Sequence, residues 1–402
     1  MVAKRLSVLG AAILGLAVTA LPAQAQKKYD PGASDTEIKI GNLAPYSGPA
    51  SAYAIVGKAA AAYYKKVNDE GGINGRKINF ISLDDAYSPP KSVEMTRRLV
   101  EQDQVLFIAG SVGTAPISAT YRYTTGKGVP HIFAASAATK FQDPKNALIM
   151  GWAPSYFTEG AIYAKHVLQT VPNAKIAVLF QNDDYGKDFL QGFEATLGEK
   201  AKTMIVAKAS YEVSDATIDS QIVQLQGSGA NVLFNVSTPK FAAMAIRKVY
   251  DIGWKPVHYL NSPATSIGGV LTPVGKEKAV GIISTQFFKD PLDSKWSDDK
   301  GMKDWRAFMT KYYPDGDLND DRMIYAYGVA KTVVEVLKQS GDNLTRENVM
   351  KQAANLKNFQ LDVLLPGIAI NTSPTDYAPI EQMQMMRFDG KDWVLFGGLV
   401  TK

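Results

Sequence analysis

The chain has 402 residues, a formal net charge of +5, 46% hydrophobic residues and 21% charged ones, an ordinary globular composition. Its 44 Lys and Arg are scattered among 39 Asp and Glu, which argues against a nucleic-acid surface. It has no Cys and 3 widely spaced His (His131, His166, His258), which excludes thiol catalysis and zinc–thiolate sites and leaves no His pair at metal-binding spacing.

The N-terminus reads as a secretory address. Lys4 and Arg5 precede an uncharged apolar run over residues 6–18, and Ala23-Gln24-Ala25 supplies the small residues of a cleavage site. The run is short for a membrane span, and cleavage is expected after Ala25. No Cys stands at the cleavage point to carry a lipid, so a soluble exported protein is expected, periplasmic in a cell with two membranes. An uncleaved N-terminal anchor is the alternative. Residues 26–402 are long for a single core and suggest two domains.

From residue 37 strands alternate with helices. Strands are expected over residues 37–43, 77–83, 105–109 and 131–134. Helices are expected over 52–68, from Pro89 to Val100, and from about Pro116. Gly71-Gly72 stops the first helix and Asn74-Gly75 turns the chain. After a break at residues 152–156 the rhythm resumes. Helices are expected over 159–169, 187–197, 216–226 and 241–250, and strands over 175–180, 203–208, 231–236 and 257–260. Helical patterns follow at 303–311, 322–339 and 345–354. A strand pair, 382–388 and 393–397, turns at Asp389-Gly390. This repetition predicts an α/β fold of two doubly wound lobes with parallel sheets covered on both faces.

In such sheets ligands bind beyond the carboxyl ends of the strands. Two segments lie there, Gly110-Ser111-Val112-Gly113-Thr114 and Ala135-Ser136-Ala137-Ala138-Thr139. Both are small, hydroxyl-rich and close to helix starts, which suits one carboxylate. Ordinary helix capping by Thr114 and Ser136 is the alternative. No dinucleotide fingerprint, nucleophile elbow or phosphate loop is found, which argues against an enzyme.

Further motifs carry a family resemblance over nearly the whole chain. They are Ile40-Gly41, Tyr46-Ser47-Gly48-Pro49, Asn68-Asp69-Glu70-Gly71-Gly72-Ile73-Asn74-Gly75, Asp84-Asp85, Pro89-Pro90-Lys91, Ala137-Ala138-Thr139, Asp184-Tyr185-Gly186 and Tyr325-Ala326-Tyr327. In their order and spacing the chain resembles the leucine/isoleucine/valine-type periplasmic solute-binding proteins of ABC uptake systems. The resemblance implies two Rossmann-like lobes joined by three crossovers and closing on a ligand like a hinged trap. The lobes would comprise residues 36–152 with 285–381, and 153–284 with 382–402. The crossovers would fall near residues 152–155, 284–286 and 381–384. It implies an inner-membrane ABC permease as partner, no cofactor and a monomer. A ligand sensor on the same fold is a second reading.

Site residues carry over from the resemblance one by one. Thr114 matches a hydroxyl residue that holds the ligand carboxylate. Ala137, Ala138 and Thr139 match the loop that grips the ligand head group through a backbone carbonyl, a backbone N–H and a hydroxyl. Tyr53 matches an aromatic at the cleft mouth, and Tyr185 a Tyr that the second lobe closes over the ligand.

Two departures bear on the ligand. Amino-acid binders place an acid after the strand that here ends at Leu260, to pair with the ligand ammonium. This chain has Asn261-Ser262-Pro263-Ala264-Thr265, with no acid and with Ser262 as its candidate ligand contact. A buried ammonium without an anion is costly, so the expected ligand is a carboxylate without an α-amino group. Asp183 or Asp184 is a replacement acid in principle, although acids there commonly cap the next helix. The second departure is a disulfide found in some relatives, whose positions here are Tyr87 and Gly113. Tyr87 is therefore free to join Tyr46, Tyr53, Trp152 and Tyr185 in an aromatic pocket. That favours an aromatic or similarly hydrophobic carboxylate, such as a benzoate or a phenylpropenoate. A branched-chain or other amino acid is the alternative ligand. Arg322 is expected as a surface residue, with a second ligand carboxylate as its other reading. His131 is expected as a satisfied core residue.

Overall fold

The protein is described by a computed structural model over residues 27–401; the expected secretory segment lies outside the described residues. A short strand, β1 (Lys28–Tyr29), opens it. Then β2 (Glu37–Ala44), α1 (Ala54–Asp69), β3 (Lys77–Asp84), α2 (Pro89–Arg97), β4 (Phe107–Ala109), α3 (Thr114–Gly126), β5 (His131–Ala134) and β6 (Ile149–Gly151) follow. The five strands β2 to β6 form one parallel sheet in the order β3-β2-β4-β5-β6. α1 buries Ala59, Tyr63, Tyr64 and Val67, an apolar face at helical spacing. α2 opens on two prolines, which a first turn tolerates because it needs no N–H there.

The chain crosses to a second sheet after Gly151. There lie α4 (Tyr156–Thr170), β7 (Ile176–Gln181), α5 (Asp184–Leu197), α6 (Ala201–Met204), β8 (Ile205–Tyr211), α7 (Asp219–Gly227), β9 (Val232–Val236), α8 (Pro239–Asp251), β10 (Val257–Leu260), α9 (Thr272–Val274) and β11 (Ile283–Gln286). The chain then returns to the first sheet, where α10 (Lys300–Tyr312) and α11 (Arg322–Ser340) pack on α1. After β12 (Asn343–Leu344), which pairs with β1, and α12 (Arg346–Ala353), it crosses a last time to β13 (Met383–Phe388) and β14 (Trp393–Val400). The second sheet has seven strands, β14-β13-β11-β10-β9-β7-β8, with β13 antiparallel to both β11 and β14. Central β9 is buried at every position, as a sheet covered on both faces requires. We propose the three passages between sheets as the lobe boundaries.

The structure departs from the sequence reading in places. α3 begins at Thr114, two residues before Pro116, and Pro116 falls where a missing N–H costs nothing. Thr203 and Met204, read as strand, form the helical turn α6. β6 is a three-residue strand that the reading left out. Residues 284–286, expected as a crossover, belong to β11, and the crossing follows them. Short strands carry too few residues for a period of two to show.

α4 and α5 pack against each other on one side of the second sheet. Their contact needs two glycines: a Cβ on Gly160 would strike the Phe189 carbonyl, and one on Gly192 the Phe157 carbonyl. This approach sets the Tyr156 and Tyr185 rings edge to face, 5.0 Å apart.

Candidate functional site

The loops at the carboxyl ends of both sheets enclose a cleft with an empty volume of about 860 Å3, mouth included. Its floor is built where α3 begins. Gly113 has a φ of +106°, and a Cβ there would strike the Tyr87 ring, so only glycine lets the ring lie against the start of α3. No side chain caps that helix start. Thr114 Oγ1 instead meets Ser136 Oγ at 2.7 Å, so two buried hydroxyls stand side by side beside uncapped backbone N–H groups.

Aromatic side chains form the walls. Tyr53, Tyr87, Tyr156, Tyr185 and Tyr325 line the cleft, with Phe287 and Phe288. Burial raises the phenol pKa of Tyr53, Tyr87 and Tyr185 well above the ordinary value, and that of Tyr156 to about 12. These rings are therefore neutral at physiological pH. The Tyr185 hydroxyl donates to the Ser237 carbonyl at 3.3 Å and accepts from Asn261 Nδ2. The Tyr53 hydroxyl reaches across to the Pro263 carbonyl at 3.4 Å.

Of the residues singled out from sequence, Thr114, Ala137, Tyr53, Tyr87, Tyr185 and Ser262 meet in the cleft. Ala138 and Thr139 are not in its lining. The Thr139 N–H and hydroxyl both donate to Asp188 of α5, at 2.8 and 2.9 Å to Oδ2, which ties the two sides together at the rim. Beside them Lys140 pairs with Asp184. The Ala137 carbonyl accepts from the Tyr156 N–H at 3.0 Å. Tyr46 is also outside the lining; its hydroxyl meets Ser82 Oγ. Trp152 lies behind the wall, edge-on to Tyr325 at 5.1 Å. Asp183 caps α5 by accepting from the Tyr185 and Gly186 N–H groups, and it is not in the cleft lining. His131 is buried, but its Nε2 has no partner, and burial holds its pKa down to about 3.

The cleft also holds charged groups, of which the sequence reading named only Arg322, as its second reading. Glu159, in the first turns of α4, is 1% exposed. It accepts from the Ser262 N–H at 2.6 Å, Ser262 Oγ at 2.7 Å and the Tyr163 hydroxyl at 2.7 Å. Burial raises its carboxyl pKa to about 7. Asp321 and Arg322, at the start of α11, line the cleft too, and Asp321 accepts from Thr265 in the same turn as Ser262. Burial, then the neighbouring Asp320, raises Asp321 well above the carboxylate range. Arg322 is no surface residue: its side chain is 11% exposed, held by Asp320. Nothing local in the sequence marks Glu159 or Asp321, because the crossover and the return of α11 bring them to the cleft. Among the described residues no three His, Asp or Glu side chains gather as metal ligands.

The profile of a protein family described as periplasmic binding protein matches residues 37–392. A Leu/Ile/Val-binding protein homolog 1 of Brucella abortus is 24% identical over 343 residues, covering 83% of this chain and 87% of the relative. An amino acid binding protein of Pseudomonas aeruginosa is 22% identical over 311 residues, 76% of this chain and 80% of its own. Among solved structures, a branched-chain amino acid ABC transporter protein from Thermus thermophilus with bound valine superposes with a TM-score of 0.82 at 16% identity, covering 92% of this chain and 98% of its own. A fatty acid ABC transporter substrate-binding protein from Thermomonospora curvata gives 0.78 at 21% identity, covering 94% and 95%. Two doubly wound lobes, a cleft between them and a family match over most of the chain agree: the chain belongs to the periplasmic binding protein family.

Proposed function

We propose that this protein is the periplasmic solute-binding component of an ABC uptake system and that it captures a small aromatic or hydrophobic carboxylate without an α-amino group. The lobes close on the ligand, and an inner-membrane permease receives the loaded form. The relatives named above are called binding proteins and the two solved structures ABC transporter proteins, which supports a binding role over catalysis. The observation that carries the ligand class is the Thr114–Ser136 hydroxyl pair at an uncapped helix start, beneath neutral tyrosine rings. Hydroxyl and backbone donors there suit one carboxylate, and flat aromatic faces suit an apolar body. The 261–265 segment brings no acid to pair with an ammonium.

Amino-acid capture is the second reading, favoured by one observation. Glu159 stands in the cleft although the 261–265 segment lacks an acid. Its oxygens already accept three hydrogen bonds, from Ser262 and Tyr163, which weighs against a free ammonium partner.

Thr114→Val keeps the shape of the side chain and removes its hydroxyl. A hydrogen bond to a charged group contributes roughly 1.5–3 kcal/mol, so benzoate or cinnamate should bind about tenfold to a hundredfold more weakly. Isothermal titration of the variant and the parent protein measures this. Equal affinities would place the ligand carboxylate elsewhere.

A further inference from the structure

The start of α11 holds polar groups that carboxylate binding at Thr114 leaves unused. Arg322 directs Nε and Nη2 onto Asp320, Nε at 2.7 Å from Oδ1. Its remaining nitrogen, Nη1, is buried with no hydrogen-bond partner. The guanidinium borders the cleft, 5.9 Å from the centre of the Tyr53 ring. The neighbouring Asp321 carboxyl accepts from Thr265 Oγ1 and Gln286 Nε2, both at 3.5 Å, the outer limit of a hydrogen bond. A buried donor without a protein acceptor, beside a buried acceptor with poor donors, is costly.

One neutral group relieves both. A hydroxyl accepts from the Arg322 Nη1–H and donates to the Asp321 carboxyl. A carboxylate would add a second buried anion to a guanidinium whose charge Asp320 already balances. An ammonium cannot accept, and it would leave Nη1 unpaired. We propose that Arg322 and Asp321 form a second recognition point for a hydroxyl at the far end of the ligand, making hydroxylated aromatic carboxylates the preferred class. This rests on the carboxylate reading above.

The arrangement depends on Gly269, whose Cβ would strike Arg322 Nη2. Gly269→Ala therefore displaces the guanidinium without changing its chemistry.

The test is isothermal titration of unfolded and refolded protein with benzoate, 4-hydroxybenzoate, cinnamate, 4-hydroxycinnamate and terephthalate. In at least one pair the 4-hydroxy acid should bind roughly tenfold to a hundredfold more tightly than its parent, as expected for a hydrogen bond to a charged group. Arg322→Met should reduce that ratio to within about threefold, and Gly269→Ala should reduce it in the same direction. If Arg322→Met does not fold, the wild-type ratio and the Gly269→Ala variant decide. Parent acids that bind as tightly as their 4-hydroxy forms overturn this inference alone, as does a ratio that both variants leave unchanged. Tighter binding of terephthalate overturns it in favour of a second carboxylate. Failure of every acid to bind overturns the carboxylate reading, and this inference with it.

Discussion

Glu159→Gln is expected to gain stability over the parent protein as pH rises from 5 to 8. Burial raises the Glu159 carboxyl from its ordinary 4.5 to about 7 in the folded protein. Between those values the folded state keeps a proton that the unfolded state has lost. Stability therefore falls as pH rises through this window, since the native state binds more protons. The shift amounts to roughly 3 kcal/mol, fully expressed above about pH 7 and absent below about pH 4. Glutamine does not titrate, and its amide oxygen can still accept from the Ser262 N–H. Urea denaturation of both proteins at pH 5 and pH 8 should give curves that separate with pH, with the variant ahead at pH 8. Asp290 and Asp321, also raised by burial, are shared by both proteins and cancel in the difference. A constant offset at the two pH values would mean that Glu159 is ionised throughout.

Trp152→Ala is expected to be the most destabilising single change near the cleft. Trp152 is 0% exposed, donates Nε1–H to Thr332 Oγ1 at 3.0 Å, and packs edge-on to Tyr325 and Phe287. Gly328 makes room for it: a Cβ there would crowd the indole. The indole thus fixes the first passage between the sheets against α11. Truncating a buried tryptophan costs roughly 3–5 kcal/mol, because the surroundings relax only in part. A shift of the denaturation midpoint equivalent to under about 1 kcal/mol would contradict this packing. Ligand affinity should fall as well, since Tyr325 loses its backing.

Much of the fold was legible because its signals are local. Alternation along residues 37–43, the apolar face of α1 and the stop at Gly71-Gly72 need no tertiary knowledge. So too with the floor of the site: Thr114 and Ser136 follow strands, where a doubly wound sheet puts its ligand loops. What failed was long-range. Thr139 looks like a ligand group in sequence, yet Asp188 takes both its donors from across the cleft. Arg322 has the local setting of a surface residue, and only the packing of α11 buries it. Glu159 sits on α4 far from the 261–265 segment in sequence, and Ser262 meets it through the fold of the second sheet. The missing acid in that segment was readable; the acid on α4 was not.

The central claim is tested most directly by a thermal-shift series on mature protein that has been unfolded and refolded to remove any carried ligand. The series pairs aromatic and aliphatic carboxylates with leucine, valine and phenylalanine. A ligand at a hundred times its Kd stabilises the folded state by about 2.7 kcal/mol, a clear shift in Tm. The account predicts shifts with benzoate- or phenylpropenoate-type acids and none with the amino acids. A clear shift with leucine or phenylalanine, lost in Glu159→Gln, would contradict it and make Glu159 the ammonium partner.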